Sequence, residues 1–219
     1  MKNRLIALLW TVTALFANTG AGYAGDEALY DAPPPPDSAF FRVLNADPEG
    51  KNVSVTLAGH EIKSAAKALS PYIIVKAGDQ IVAGLTAEVP VTLDAGGFYT
   101  LAVVDASGAT KLYEDKALND PAKSRLFFYN MSDAKSVNLF VPAASKDALE
   151  GIEPNASNSV ELKAPMELDF IAKSAEANLA TFTRVVLKRR ATVSLVLFGS
   201  VGVYTGAVTP NTVDKLASN

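Results

Sequence analysis

Phe40-Phe41-Arg42-Val43-Leu44-Asn45 returns later in the chain as Arg125-Leu126-Phe127-Phe128-Tyr129-Asn130. Each run is a short aromatic and aliphatic block ending on asparagine, the composition of a buried strand rather than of an amphipathic helix. After each, a polar turn leads into a second block, Val53-Ser54-Val55-Thr56-Leu57 or Val137-Asn138-Leu139-Phe140-Val141. A third pair closes the pattern: Val91-Thr92-Leu93 with residues 98–104, and Val185-Val186-Leu187 with residues 192–198. Three matches in the same order, offset by about 85 to 94 residues, read as a tandem duplication.

Working outward, further strands are predicted over residues 72–75, 80–85, 89–93 and 111–113, separated by turn signals such as Asp47-Pro48-Glu49-Gly50 and Asp94-Ala95-Gly96-Gly97. Spacing near ten residues without a sustained 3.6-residue period predicts an all-β fold of two tandem antiparallel β-sandwich domains. The first is placed at residues 38–118 and the second, with a C-terminal tail, at 119–219, the seam falling near Asn119-Asp120-Pro121. Helix is expected only over residues 65–69 and 146–149, about one turn each.

The N-terminus has a different character. Lys2 and Arg4 precede an uncharged stretch over residues 5–17, and Gly22-Tyr23-Ala24 supplies small residues at the −3 and −1 positions of a cleavage site. That order predicts a signal peptide over residues 1–24, too short in its apolar part to span a bilayer, and export to the periplasm. Residues 25–37 form a Pro-rich tether; the four prolines 33–36 fix φ and remove donors, so an extended spacer is expected. Leu29 and Tyr30 on that tether read either as plain linker or as a small apolar plug for a partner.

The chain has 219 residues, 20 basic and 23 acidic, with one histidine and no cysteine. A mildly acidic chain without basic blocks speaks against nucleic acid as a partner. The missing cysteines exclude disulfides, thiolate metal sites and cysteine nucleophiles. Neither a Gly-x-Ser-x-Gly elbow nor a Gly-Asp-Ser nucleophile phrase is present. His60, in Leu57-Ala58-Gly59-His60-Glu61, reads as a hairpin-tip residue rather than a general base. Asp and Glu pairs lack calcium-loop spacing. The residues point to no catalytic site, no metal and no cofactor.

A resemblance joins these readings. Gly25-Asp26-Glu27-Ala28-Leu29-Tyr30, the Pro spacer, and Ser38-Ala39-Phe40-Phe41-Arg42-Val43-Leu44-Asn45-Ala46 resemble the mature start of the AlgF family of alginate biosynthesis. Tyr129-Asn130-Met131-Ser132 and Val185-Val186-Leu187-Lys188-Arg189 resemble its second half. The resemblance implies a non-catalytic periplasmic adaptor of exopolysaccharide O-acetylation, most naturally of alginate. Its implied partners are a membrane-bound O-acyltransferase and a periplasmic SGNH-like acetyltransferase, with the polyuronate itself as a further candidate. The alternatives are a carbohydrate-binding module and the equivalent accessory protein for acetylated cellulose.

One local feature remains. Lys188-Arg189-Arg190, with Arg184 just before, stands where the first half has Asp94-Ala95-Gly96-Gly97, and is expected at a hairpin tip. It reads either as a solvated turn or as a contact for an anionic partner, since arginine forks suit carboxylates. Leu29, Tyr30, Arg184, Lys188, Arg189 and Arg190 are therefore the candidate partner-binding residues.

Overall fold

A computed structural model of the protein describes residues 33–175 and 177–214, and seventeen strands fall within them. Leu29 and Tyr30 lie outside the described residues, as do all of residues 1–32.

In the first half, β1 (Ser38–Asn45) runs parallel to β8 (Phe98–Val103), which pairs antiparallel with β9 (Thr110–Asp115). The other side of β1 is taken in turn by β4 (Ala68–Leu69) and β5 (Ile73–Lys76). Parallel neighbours need a crossover, and this one builds a second layer. It consists of the hairpin β2 (Val53–Leu57)–β3 (His60–Ser64) and the hairpin β6 (Gly78–Val82)–β7 (Val89–Leu93), linked through Thr56 and Ala83. Ala58 and Gly59, both at positive φ, make the tight two-residue turn that puts His60 opposite Leu57.

The second half repeats this plan, with one strand where the first half has β4 and β5. β10 (Lys123–Ser132) runs parallel to β16 (Ala191–Ser200), with β13 (Ala156–Lys163) and β17 (Val203–Pro210) on the two outer sides. The covering layer is β12 (Lys146–Ile152), β11 (Val137–Val141), β14 (Met166–Ser174) and β15 (Ala177–Leu187). Asn45 and Asn130 do the same work at the ends of β1 and β10. Each donates its amide to one loop carbonyl and one strand-end carbonyl, of Lys51 and Ser64 or of Ala134 and Ile152. Each also accepts a backbone N–H two residues on.

Three apolar interiors result. Phe41, Val43 and Leu101 fill the first sandwich, and Leu126, Phe128 and Leu195 the second. The opposite faces of the same central strands meet in a third interior, where Leu44 and Ala102 lie with Tyr129, Met131 and Val196. Because β1 and β10 are buried on both faces, they read as near-continuous apolar runs rather than alternating ones. From Pro34 onward the two sandwiches belong to one compact unit.

Neither expected helix forms. Ala68 and Leu69 pair with Asn45 and Leu44, and Lys67 at φ 54° ends any helical path before them. Residues 146–149 belong to β12, opposite Leu139, Phe140 and Val141. Buried backbone groups of the neighbouring strands require partners, and that demand outweighs the helix preference of alanine and lysine. The only described helical segment is a 3-10 turn at Pro142–Ala144. The basic triplet also differs from expectation. β15 and β16 lie in different sheets, so Lys188, Arg189 and Arg190 form a corner between the layers and not a hairpin tip.

Candidate interaction site at the seam

Arg42 is the one charged residue in β1, and its side chain points away from the first sandwich into the third interior, 1% exposed. Its Nε donates to Thr100 Oγ1 at 2.8 Å and its Nη1 to Asn211 Oδ1 at 2.6 Å. Nη2 reaches Tyr129 Oη at 2.9 Å, Ser194 Oγ at 3.1 Å and Asp115 Oδ2 at 3.4 Å. The guanidinium also lies over the Tyr72 ring, 4.2 Å from its centroid. Arg42, Tyr72, Thr100 and Asp115 come from the first half; Tyr129, Ser194 and Asn211 come from the second.

Asp115 is the counter-charge. Its carboxylate accepts hydroxyl hydrogen bonds from Tyr72, Thr100 and Tyr129. Burial pushes the Tyr72 and Tyr129 hydroxyls well above the ordinary tyrosine range; Arg42 opposes this and Asp115 adds to it, so both stay protonated donors. Burial also opposes the charge on Arg42, yet its surroundings of Tyr129, Tyr72 and Asp115 outweigh that and raise its pKa. Removing two charges from water costs several kcal/mol per ion, and only a fully satisfied geometry offsets it. Here each acid oxygen and each guanidinium nitrogen has a partner.

The tail after β17 locks the same place. Tyr72 donates its N–H to the Thr212 carbonyl, and Asp214 N–H returns to the Tyr72 carbonyl. Above this lies an open cleft of about 620 Å³, walled by Tyr72, Phe98, Leu118, Phe127 and Val213. Among the described residues its only charged lining side chains are Lys116, just after β9, and Arg190, just before β16. Neither forms an ion pair with any described residue. The connector between the sandwiches forms one wall and is pinned where Asn119 N–H donates to Glu161. That bond, together with Arg125 and Lys123, holds the Glu161 carboxyl below its usual range.

The structure separates the basic residues that the sequence groups together. Arg184 sits at a bulge of β15, its N–H on Asp169 and its Nε 3.1 Å from Glu167. Arg189 donates to the Ala164 carbonyl. Lys188 is exposed, and only Arg190 enters the cleft. His60 stays at its hairpin, half-buried. Among the described residues no group of three or more His, Asp or Glu side chains is gathered as a metal site would require. The residues missed from sequence are Lys116, Tyr72, Asp115 and Asn211. Arg42 was the available signal, because a charge inside a doubly buried strand demands a buried partner.

These features define an all-β, double-sandwich protein whose buried charged cluster joins its halves beneath a cationic cleft. The chain belongs to the AlgF family: the family model described as "Alginate O-acetyl transferase AlgF" matches residues 12–193. It is similar to the alginate biosynthesis protein AlgF of Pseudomonas fluorescens, 28% identical over 181 residues, covering 82% of this chain and 81% of that one. The AlgF of Azotobacter vinelandii is 28% identical over 185 residues, covering 84% and 83%. Among solved structures, the C-terminal domain of AlgF from P. aeruginosa aligns with a TM-score of 0.37 and 19% identity. That alignment covers 41% of this chain and 99% of the domain.

Proposed function

We propose that the protein is a non-catalytic periplasmic adaptor in exopolysaccharide O-acetylation, with alginate as the polymer. It works beside a membrane-bound O-acyltransferase and a periplasmic acetyltransferase and holds the acetyl-donor enzyme near the chain being modified. Family membership supports the process, and the leader-like residues 1–24 support the compartment. The observation that carries the adaptor role is the commitment of the seam's chemistry to structure. Asp115, the cluster's carboxylate, already takes three hydroxyl donors, and Ser194 donates to Asn211 while accepting from Arg42. An acyl-transfer nucleophile needs a free base in hydrogen-bond reach, which such a cluster does not offer.

A glycan-binding module is less well supported. The exposed large apolar residues among those described are all aliphatic or methionine, whereas saccharide platforms use exposed aromatic faces. Two measurements test the adaptor reading. Purified protein should bind the purified periplasmic acetyltransferase of the same organism, and cells carrying His60→Ala should make polymer of unchanged acetyl content. Loss of acetylation at normal protein level in that variant would overturn the non-catalytic reading.

A further inference from the structure

The cleft above the Arg42 cluster has a composition the joining role does not explain. Arg42 and Asp115 neutralise one another below it, so the floor carries no uncompensated charge. Lys116 and Arg190 stand on the two walls, one from each half, exposed and without carboxylate partners among the described residues. Between them lie Phe98, Leu118, Phe127 and Val213. Arg190 holds its place with φ at 58°, a conformation uncommon outside glycine, and its N–H is fixed on the Lys123 carbonyl.

We infer that this cleft is a docking site for an extended acidic segment of a protein partner, with an apolar side chain seated between the walls and carboxylates on Lys116 and Arg190. The inference rests on the adaptor reading and deepens it by naming the surface. Charge complementarity sets the sign of the occupant, since the charged groups lining the cleft among the described residues are cationic. Its apolar lining of Phe98, Leu118, Phe127 and Val213 favours a peptide over a polyuronate. Phe98 has one face stacked on Phe40 at 4.2 Å and makes a T-shaped contact with Tyr72 at 5.4 Å, so its ring is already used. The Asn211 amide is engaged by Arg42, Ser194 and Thr192. Both halves supply a wall, so the occupant bridges the seam and needs the two sandwiches held as they are.

The test uses the mature protein and the purified periplasmic acetyltransferase of the same organism as the probe, with alginate oligosaccharide as a second arm. The variants are Lys116→Glu/Arg190→Glu and Lys116→Gln/Arg190→Gln. Both positions are exposed, so the melting temperature should hold and serves as the folding control. Wild-type association should slow with added salt. Charge reversal should lower the association rate about tenfold or more, with the glutamine pair in between. Benzoylphenylalanine at Leu118 should crosslink to an acidic stretch of the enzyme. Equal binding by wild type and both variants would overturn the cleft while leaving the adaptor reading intact. No binding by wild type would overturn the adaptor reading itself. Oligosaccharide binding that depends on Lys116 and Arg190, without enzyme binding, would make the polymer the occupant and overturn the peptide.

Discussion

Asn45 and Asn130 occupy equivalent places in the two halves and make the same bonds, whereas Arg42 and Phe127, three residues before each, differ completely. The asparagines close a loop within each sandwich, a task each half has alone. Arg42 and Phe127 face the third interior, where two identical surfaces would have set like charge against like charge. Divergence at the seam is therefore what makes one body of two repeats, and the cleft with its paired cations is a product of that divergence.

The comparison can be pressed hardest at Asp115. Asp115→Ala leaves Arg42 buried with its counter-charge gone, which should cost about 3–5 kcal/mol in urea unfolding. A loss below about 1 kcal/mol would mean that water or another acid replaces the carboxylate. The same cluster has a pH signature. Tyr72 and Tyr129 bind their protons more tightly folded than unfolded, so their contribution is complete below the usual 10.0 and is lost as pH rises beyond it. In an alkaline titration these two should yield tyrosinate absorbance only as the fold is lost. Early, reversible ionisation of every tyrosine would show the seam to be wet.

A smaller effect tests the other side of the comparison. Asn45→Ala and Asn130→Ala each remove the donor to two backbone carbonyls and should each cost about 1–3 kcal/mol, by similar amounts. A large difference between them would break the equivalence of the halves. Smaller again is Glu161, which ties the connector to the second sandwich. Its carboxyl is held low, so its support is complete above the usual 4.5 and fades as pH falls through the lowered folded value. Glu161→Gln should flatten the acid limb of the urea midpoint against pH. Least of all, Lys188→Ser/Arg189→Ser should change stability by no more than about 1 kcal/mol, since exposed charges contribute little.

The sequence was legible where a strand's environment is local. β2 and β7 fall where their alternation places them, and β1 and β10 announce themselves by apolar runs. It was less legible where pairing decides. Ala68 and Leu69 look helical until β1 needs a partner, and the basic corner looks like a hairpin because nothing local says that β15 and β16 belong to different sheets. Grouping Arg184 with Arg190 failed for a similar reason: a bulge turns Arg184 toward Glu167. The cleft joins Tyr72, Lys116, Arg190 and Asn211, residues far apart in the chain that only the meeting of the halves assembles.

Unity across the seam is most directly measured by differential scanning calorimetry of the chain from residue 25 onward. One transition is expected, with calorimetric and van't Hoff enthalpies equal, because the third interior and the Arg42 cluster couple the sandwiches. Two separable transitions, unaffected by Asp115→Ala, would show two independent domains and contradict the account.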